Sequence, residues 1–467
     1  NGEKSKEADS VNRINHHAPA ADAPAIPQKS GGAFGIPELR APIRRRIIRV
    51  NHHAAALLLA GAAGVFAYFS PYIQEEPWKL AANDSVSALE NGPGGSGTAA
   101  GGETLPALEG ISYYDDQWAL ENKGNMQRVM RFYESGSTGA DGTWVPGGWR
   151  EWVEQGVSGI DIGAWPAWNF YEQSGNRRQV TVAIIDSGVD VTHPDLQNSI
   201  WVNEDEMPGD GVDNDGNGYI DDVNGWNFYN DNGDVSAASG EEHGTHGAGT
   251  IAAAWDGQGI TGIADGNSVK IMVLKVLSSR DGQGISDNVK EAIRYAEANG
   301  ADICNMSMGT SSYDPELEEM IRNSSMLFVV ASGNGDWTGR GVNLDETPVY
   351  PAAYSSENII SVGNLMFDGS LEDSSNYGAA SVDIAAPGTH ILSTIPGGYG
   401  YLSGTSMSAP MVSGAAALIY SCRTDLDLAG VRNAILETAT PLEDLAGRVS
   451  AGGMLDVGAA VNYGLSQ

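Results

Sequence analysis

Short apolar runs alternate with helical patterns along much of this chain, and this alternation constrains the fold more than any other feature. The runs cover residues 180–185, 269–276, 301–308, 326–331 and 358–362. Each is short and continuous enough for a strand that is buried on both faces. Residues 285–299 instead carry apolar side chains at helical spacing and end before Gly300. Because strands that alternate with helices build parallel sheets, we expect an α/β fold with a doubly wound, mostly parallel sheet and helices on both faces.

Composition agrees with this fold and excludes one class of partner. The 467 residues are 41% hydrophobic and include 61 glycines, which suits a large core with tight turns and close helix packing. The formal net charge is −34, and such a chain repels the phosphates of nucleic acid. We expect a soluble, monomeric domain that binds no nucleic acid.

Polar side chains that could take part in catalysis follow two of the apolar runs. Asp186 ends the first run, and Asn334 follows the fourth run between two glycines. Because the carboxyl ends of parallel strands meet at one edge of the sheet, where open α/β sheets carry their sites, we expect both side chains at that edge.

Two predicted helices begin with an imidazole and a hydroxyl group that could react together with Asp186 and Asn334. His243 opens a small-residue helix, and Ser406 follows Gly404 and Thr405 at the start of another. A hydroxyl at a helix start lies beside unpaired N–H groups and the positive end of the helix dipole.

These residues have the chemistry of a nucleophilic site. Ser406 would attack a carbonyl, His243 would take its proton, and Asp186 would orient the imidazole. The Asn334 amide and the Ser406 N–H would stabilise the oxyanion. Each residue alone suits a turn or a helix cap about equally well, but the four together, in the order Asp, His, Ser, favour catalysis.

Several segments of the chain resemble those of a known family, the subtilisin-like serine peptidases. The resemblance lies in Asp186-Ser187-Gly188, His243-Gly244-Thr245-His246-Gly247, Ser332-Gly333-Asn334 and Gly404-Thr405-Ser406-Met407-Ser408-Ala409-Pro410. It extends over about residues 113–467, which we take as one peptidase domain. The resemblance implies a serine endopeptidase that acts through an acyl-enzyme on protein or peptide substrates. It also implies two walls of a substrate pocket, formed by Ser307, Met308 and Gly309 and by Ala331, Ser332 and Gly333.

Two other functions, and two other residues for the proposed roles, are alternatives. A catalytically silent member of the family would act as a binding module, although it would usually have lost a catalytic residue. An esterase on an α/β sheet would carry Gly-x-Ser-x-Gly and the order Ser, acid, His, and the residues around Ser406 show neither. His246 competes with His243 as the base, and Cys304 is a weaker competitor as the nucleophile. We interpret both as packing residues.

An acidic run between Asp186 and His243 indicates a metal site. Asp213, Asp215, Asn217 and Asp221 fall at positions 1, 3, 5 and 9 of a calcium-loop pattern, and the Tyr219 carbonyl falls at position 7. Asn224 stands where an EF-hand needs Glu, so the run is not an EF-hand. We expect structural Ca²⁺ here, with a flexible acidic loop as the alternative.

The N-terminal residues suggest a different environment. Residues 1–53 are polar and predicted to be disordered, whereas residues 54–74 are mostly apolar, follow several arginines and are long enough to cross a membrane. We expect a signal-anchor span, with a signal peptide or a buried helix as alternatives, then a linker over residues 75–112. This predicts an extracytoplasmic peptidase, either anchored or secreted. Many exported relatives carry an inhibitory propeptide, and residues 75–112 leave little room for a folded one.

Overall fold

The structure is a computed structural model of the chain. It describes residues 65–68, 78–80, 104–106, 110–134, 137–138, 144–145, 148–237, 240–277, 283–336 and 338–465. The predicted disordered segment lies outside the described residues, and so does most of the predicted membrane span. No helix among the described residues is both long enough and apolar enough to cross a membrane.

The described residues form twenty strands. In chain order they are β1 (Val65–Tyr68), β2 (Trp78–Leu80), β3 (Thr104–Pro106), β4 (Met126–Glu134), β5 (Ser137–Thr138), β6 (Trp144–Val145), β7 (Gly148–Gln155), β8 (Val180–Asp186), β9 (Gly225–Asn227), β10 (Val269–Lys275), β11 (Gln283–Ile285), β12 (Ile303–Met306), β13 (Met308–Gly309), β14 (Leu327–Ala331), β15 (Ile359–Leu365), β16 (Ile384–Pro387), β17 (Ile391–Ile395), β18 (Gly398–Leu402), β19 (Thr440–Pro441) and β20 (Gly453–Met454).

Seven α-helices accompany them in the described part of the chain. They are α1 (Ala164–Gln173), α2 (Glu242–Ala252), α3 (Ser286–Ala298), α4 (Pro315–Asn323), α5 (Thr405–Cys422), α6 (Leu428–Glu437) and α7 (Val457–Ala460). Helix α3 confirms the predicted helix, and Gly300 just beyond it has a left-handed φ of 73°, which ends a helix without steric strain.

Nine strands form the central sheet in the spatial order β19-β20-β16-β15-β14-β12-β8-β10-β9. Every pairing is parallel except that of β19 with β20. The five apolar runs form strands β8, β10, β12, β14 and β15, whose ends lie within a few residues of the predicted ones. The mostly parallel, doubly wound fold is therefore confirmed.

Helices cover both faces of this sheet because side chains along each strand alternate between two cores. Val182 and Ile184 of β8 pack in the core that contains α2 and α5, whereas Ala183 and Ile185 pack in the core that contains α3 and α4. All seven residues of β8 are buried. A strand that is buried on both faces explains the continuous apolar run in the sequence.

One small sheet contains four of the residues that are predicted to span a membrane. Strand β1, residues Val65–Tyr68, lies antiparallel between β11 and β13. A membrane-spanning helix and this strand are alternative conformations of the same four residues. The rest of residues 54–74 lies outside the described part of the chain, so the membrane span stays a prediction.

Candidate active site

Asp186 and His243 form a buried pair at the carboxyl edge of the central sheet. Asp186 is the last residue of β8, and His243 is the second residue of α2. His243 Nδ1 lies 2.8 Å from Asp186 Oδ1 and 2.9 Å from Oδ2. The two side chains are 6% and 3% exposed. A carboxylate held against Nδ1 fixes the ring orientation and favours the tautomer that carries the proton on Nδ1.

The pair forms because glycine allows helix α2 to start unusually close to strand β8. A Cβ at Gly244 would lie 2.3 Å from the Gly188 carbonyl oxygen and 3.2 Å from Asp186 Oδ1. Only the absence of a side chain permits this approach. Two hydrogen bonds stabilise the junction, from the Ser187 N–H to Asp186 Oδ1 (2.6 Å) and from the Gly244 N–H to Ser187 Oγ (3.2 Å).

Ser406 is the second residue of α5 and is buried beside the end of β12. Its hydroxyl donates to the Ser307 carbonyl oxygen at 3.3 Å, and the Ser307 hydroxyl donates to the Ser406 carbonyl oxygen at 2.9 Å. Pro410 explains the second bond. It stands four residues after Ser406 inside the helix and has no N–H to donate to the Ser406 carbonyl. Ser307 therefore supplies the donor that the helix lacks.

Asn334 is tied to the residue that precedes Ser406. Its amide oxygen accepts from the Thr405 N–H at 2.9 Å and from the Thr405 hydroxyl at 3.0 Å. The Gly333 N–H donates to the same hydroxyl at 3.1 Å. Because the amide oxygen is committed to Thr405, the amide NH₂ is the end of Asn334 that can donate to a developing oxyanion.

The two predicted walls of the substrate pocket follow neighbouring strands. Strands β12 and β14 pair in parallel, with Met306 opposite Val330, so residues 307–309 and 331–333 lie side by side at the carboxyl ends of these strands. The Met308 side chain is buried in the core, so β13 meets other strands through its backbone. Strand β1 pairs with it there, with Tyr68 opposite Met308 and Ala67 opposite Gly309.

The competing residues occupy packing positions. His246 is fully buried, and its Nε2 lies 2.8 Å from the Ile391 carbonyl oxygen. Burial lowers the pKa of His246 to about 3, so the ring stays neutral and its Nε2 proton is used by that carbonyl. Burial also raises the pKa of the Cys304 thiol well above its usual range. A buried thiol of this kind is a poor nucleophile.

The acidic run folds into a loop whose cluster of carboxylates differs from the predicted set of ligands. One oxygen each from Glu206, Asp213 and Asp215 lies within 4.8 Å of the other two. Glu206 was missed, because it precedes the calcium-loop pattern. Asp221 is not in this group, and its carboxylate accepts from the N–H groups of residues 209–211 at 2.7–3.1 Å.

Asn217 has local partners in the same loop. Its amide oxygen accepts from the Tyr219 N–H at 2.8 Å, and its amide nitrogen donates to Asp215 at 3.0 Å and to Asp222 at 2.9 Å. Asp222 is fully buried and also accepts from the Tyr295 hydroxyl of α3 at 2.6 Å. The acidic loop is therefore anchored to the core at one end. The roles of Asn217 and of the Tyr219 carbonyl as ligands stay predictions.

The fold and the arrangement of Asp, His and Ser at strand ends and helix starts define a class, the α/β serine hydrolases with this residue order. The family model of the subtilase family, a peptidase family, matches residues 177–453. The chain belongs to the subtilase family, and it is a serine protease of that family.

Curated relatives agree with this assignment. The chain is 38% identical over 250 residues to the major intracellular serine protease of Bacillus subtilis, and this match covers 52% of this chain and 69% of that protein. It is 35% identical over 313 residues to subtilisin-like protease 1 of Plasmodium vivax, a match that covers 62% of this chain and 49% of that protein. It is 34% identical over 279 residues to the thermophilic serine proteinase of a Bacillus species, a match that covers 58% of this chain and 59% of that protein. The match thus spans only about half of the Plasmodium relative.

Proposed function

We propose that this chain is a serine endopeptidase that cuts extended peptides through an acyl-enzyme. The observation that carries this proposal is the buried contact of 2.8 Å between His243 Nδ1 and Asp186 Oδ1. A histidine held in this way has only Nε2 left to accept a proton. The proposed triad is Asp186, His243 and Ser406, with Asn334 as an oxyanion donor.

The first half of the reaction forms the acyl-enzyme. Ser406 Oγ attacks the scissile carbonyl carbon while its proton passes to His243 Nε2, and Asp186 stabilises the resulting imidazolium. The carbonyl oxygen becomes an oxyanion that accepts from the Asn334 NH₂ and the Ser406 N–H. Ser406 is the second residue of its helix, and the N–H groups of a first helical turn lie at the positive end of the helix dipole. His243 then gives its proton to the leaving amine as the C–N bond breaks.

The second half hydrolyses the ester. A water loses a proton to His243 Nε2 and attacks the acyl carbon, and the same donors stabilise the second oxyanion. The imidazolium returns the proton to Ser406 Oγ as the C–O bond breaks. A carboxylate product leaves, and the enzyme regains its starting state.

The substrate binds as the middle strand of a three-stranded sheet. Strands β11 and β13 form the two edges, and an extended peptide between them gains main-chain hydrogen bonds on both sides. The chain itself supports this proposal, because β1 lies antiparallel between these two edges. Its residues Val65 and Ala67 stand opposite Ile285 and Gln283 of β11.

The register of β1 places its last residue nearest the proposed nucleophile. Tyr68 is opposite Met308, and Met308 follows Ser307, whose carbonyl oxygen accepts from the Ser406 hydroxyl. The segment thus lies where the acyl half of a substrate would lie. We infer that residues 65–68 block the cleft, and that the bond between Tyr68 and Phe69 is the first one cut.

We further propose that Glu206, Asp213 and Asp215 bind Ca²⁺. Three carboxylates this close repel one another, and a hard divalent cation that prefers oxygen ligands relieves that repulsion. Bound Ca²⁺ would supply charge neutralisation and stiffen the loop between β8 and α2. It would take no part in the bond-breaking steps.

A fluorophosphonate probe tests the proposed nucleophile. We expect the purified wild type to be labelled and to digest casein, and Ser406→Ala to do neither. Ser408→Ala is the matched control on the same helix. Its buried hydroxyl has no hydrogen-bond partner in the described structure, so its loss should leave both activities intact.

The same experiment separates the competing function. A folded wild-type chain that takes up no label, yet still binds a casein-derived peptide, would favour the catalytically silent binding module. Equal labelling of the wild type and Ser406→Ala would show that another residue is the nucleophile. The extracytoplasmic location stays a prediction that neither outcome tests.

A further inference from the structure

A buried ion pair lies next to the Asp186–His243 pair and takes no part in the proposed chemistry. Lys275 Nζ lies 3.1 Å from Glu241 Oε2 and 3.2 Å from Oε1. The two side chains are only 7% and 6% exposed. Nζ also donates to the Ser236 carbonyl oxygen at 3.1 Å. The ammonium group therefore has three oxygen acceptors in a site with little access to water.

The two ends of this ion pair belong to the elements that carry the two residues of the proposed triad. Lys275 is the last residue of β10 and stands directly opposite Asp186 in the parallel pairing with β8. Glu241 immediately precedes helix α2 and stands two residues before His243. The ion pair thus connects the strand beside Asp186 to the start of the histidine helix.

The surrounding backbone is shaped to admit the lysine. A Cβ at Gly188 would lie 3.0 Å from Lys275 Cδ and 2.7 Å from the Val235 carbonyl oxygen. Gly188 also has a left-handed φ of 103°, which disfavours any other residue. The lysine stem therefore passes over a position that has no side chain, and its Nζ reaches Glu241 beyond it.

Energetic considerations indicate what such a pair contributes. Desolvation of two charges offsets most of their attraction, so a buried ion pair adds little stability compared with an apolar pair of similar size. The pair does fix the position of α2 relative to β10, because the ammonium group must lie at hydrogen-bond distance from the carboxylate. A displacement of α2 along its axis would break both contacts at once.

We propose that Lys275 and Glu241 are positioning residues that hold His243 in register with Asp186. The pair acts through the backbone at the start of α2 and touches no substrate. This inference rests on the proposed function, since it concerns the geometry of the proposed base. Its effect should appear in kcat rather than in KM, because β11 and β13, which bind the substrate, are separate from α2.

Three variants test the proposal. Lys275→Met removes the cation but keeps the buried Glu241 carboxylate, and the double variant Lys275→Met with Glu241→Leu removes both charges. Lys290→Met is the control for loss of a buried lysine, because Lys290 is similarly buried and lies on α3 at the other face of the sheet, although its partner Glu316, at 2.9 Å, is exposed. Melting temperatures are measured in the Ser406→Ala background, which prevents self-digestion.

We expect Lys275→Met to lower both the melting temperature and kcat, the latter about tenfold or more, as small misplacements of a catalytic group do. The double variant should regain the melting temperature but not kcat, and KM should stay within about twofold in both. A double variant with wild-type kcat would overturn the proposal. So would Lys290→Met if it lowered kcat as much as Lys275→Met.

Failure of the positioning role is distinguishable from failure of the proposed function. If the wild type takes up no fluorophosphonate, the triad assignment itself is wrong. If the wild type and Lys290→Met are labelled and Lys275→Met is labelled at the same rate, the triad stands and the positioning role is refuted.

Discussion

Replacing Gly244 by alanine should separate the Asp186–His243 pair, although neither of the two residues is itself changed. The added Cβ would lie 2.3 Å from the Gly188 carbonyl oxygen, whereas unbonded heavy atoms rest at about 3.5 Å. The start of α2 must therefore move by about 1 Å. Both neighbours are backbone or a buried carboxylate, so no flexible side chain can absorb the displacement.

The expected loss of activity follows from this distance. A shift of about 1 Å would lengthen the His243 Nδ1 to Asp186 Oδ1 contact from 2.8 Å to about 3.8 Å, beyond hydrogen-bond range. A misplacement of this size lowers rates by about 10²-fold. This corresponds to about 2.7 kcal/mol of transition-state stabilisation. The loss should appear in kcat and not in KM, because β11 and β13, the proposed substrate-binding strands, are separate from α2.

The assay measures kcat and KM on a fluorogenic peptide that the wild type cuts, together with the rate of fluorophosphonate labelling. Gly247→Ala is the control in the same helix. Its Cβ would meet only Pro410 Cγ, at an ordinary 3.4 Å, and it gains the same helix propensity. The reasoning is refuted if Gly244→Ala keeps a kcat within twofold of Gly247→Ala, or if it raises KM at unchanged kcat.

Three further predictions concern activation, metal binding and acid stability. Intact-mass analysis of the active chain should show a new N-terminus at Phe69, which Ser406→Ala should lack, and an uncut wild type of full activity would contradict the blocking role of residues 65–68. Chelation should lower the melting temperature of Ser406→Ala, and adding Glu206→Gln should remove most of that difference, while an unchanged difference would exclude Glu206 as a ligand. Burial lowers the pKa of His246 to about 3, below its unfolded value of about 6.5, so the unfolded state binds the extra proton and stability falls as the pH drops from about 6.5 towards 3. In the Ser406→Ala background, His246→Gln should therefore lose about 2 kcal/mol less between pH 7 and pH 5 than its parent, as a urea titration measures, and parallel losses would show that His246 does not titrate in this range.

The main elements of the site follow from sequence because they depend on local patterns. A strand buried on both faces needs a continuous apolar run, and a polar residue at its carboxyl end must lie at the edge where other such strands end. The positions of Asp186 and Asn334 at this edge are therefore predictable from the sequence. Helix starts made of small residues likewise indicate where His243 and Ser406 lie.

Contacts between segments far apart in the chain are not predictable in this way. Glu206 joins Asp213 and Asp215 only through the path of the folded loop, which no spacing rule describes. Strand β1 shows the same limit. Its apolar residues suit a membrane helix and a paired strand equally well by composition, and its partners β11 and β13 lie far along the chain.

The segment around Ser406 has a physical reason for several of its residues. Gly404 has a φ of 141°, and a Cβ there would lie 2.8 Å from the Asn334 amide nitrogen, so glycine at this position leaves room for the Asn334 amide, the proposed oxyanion donor. Thr405 connects Gly333 to Asn334 through one hydroxyl. Pro410 withholds a donor from Ser406 and leaves its carbonyl to Ser307. The proposed nucleophile, the proposed oxyanion donor and residues of both proposed pocket walls are thus all connected through Thr405 and its neighbour Ser406, so strain at any of these positions should reach the others.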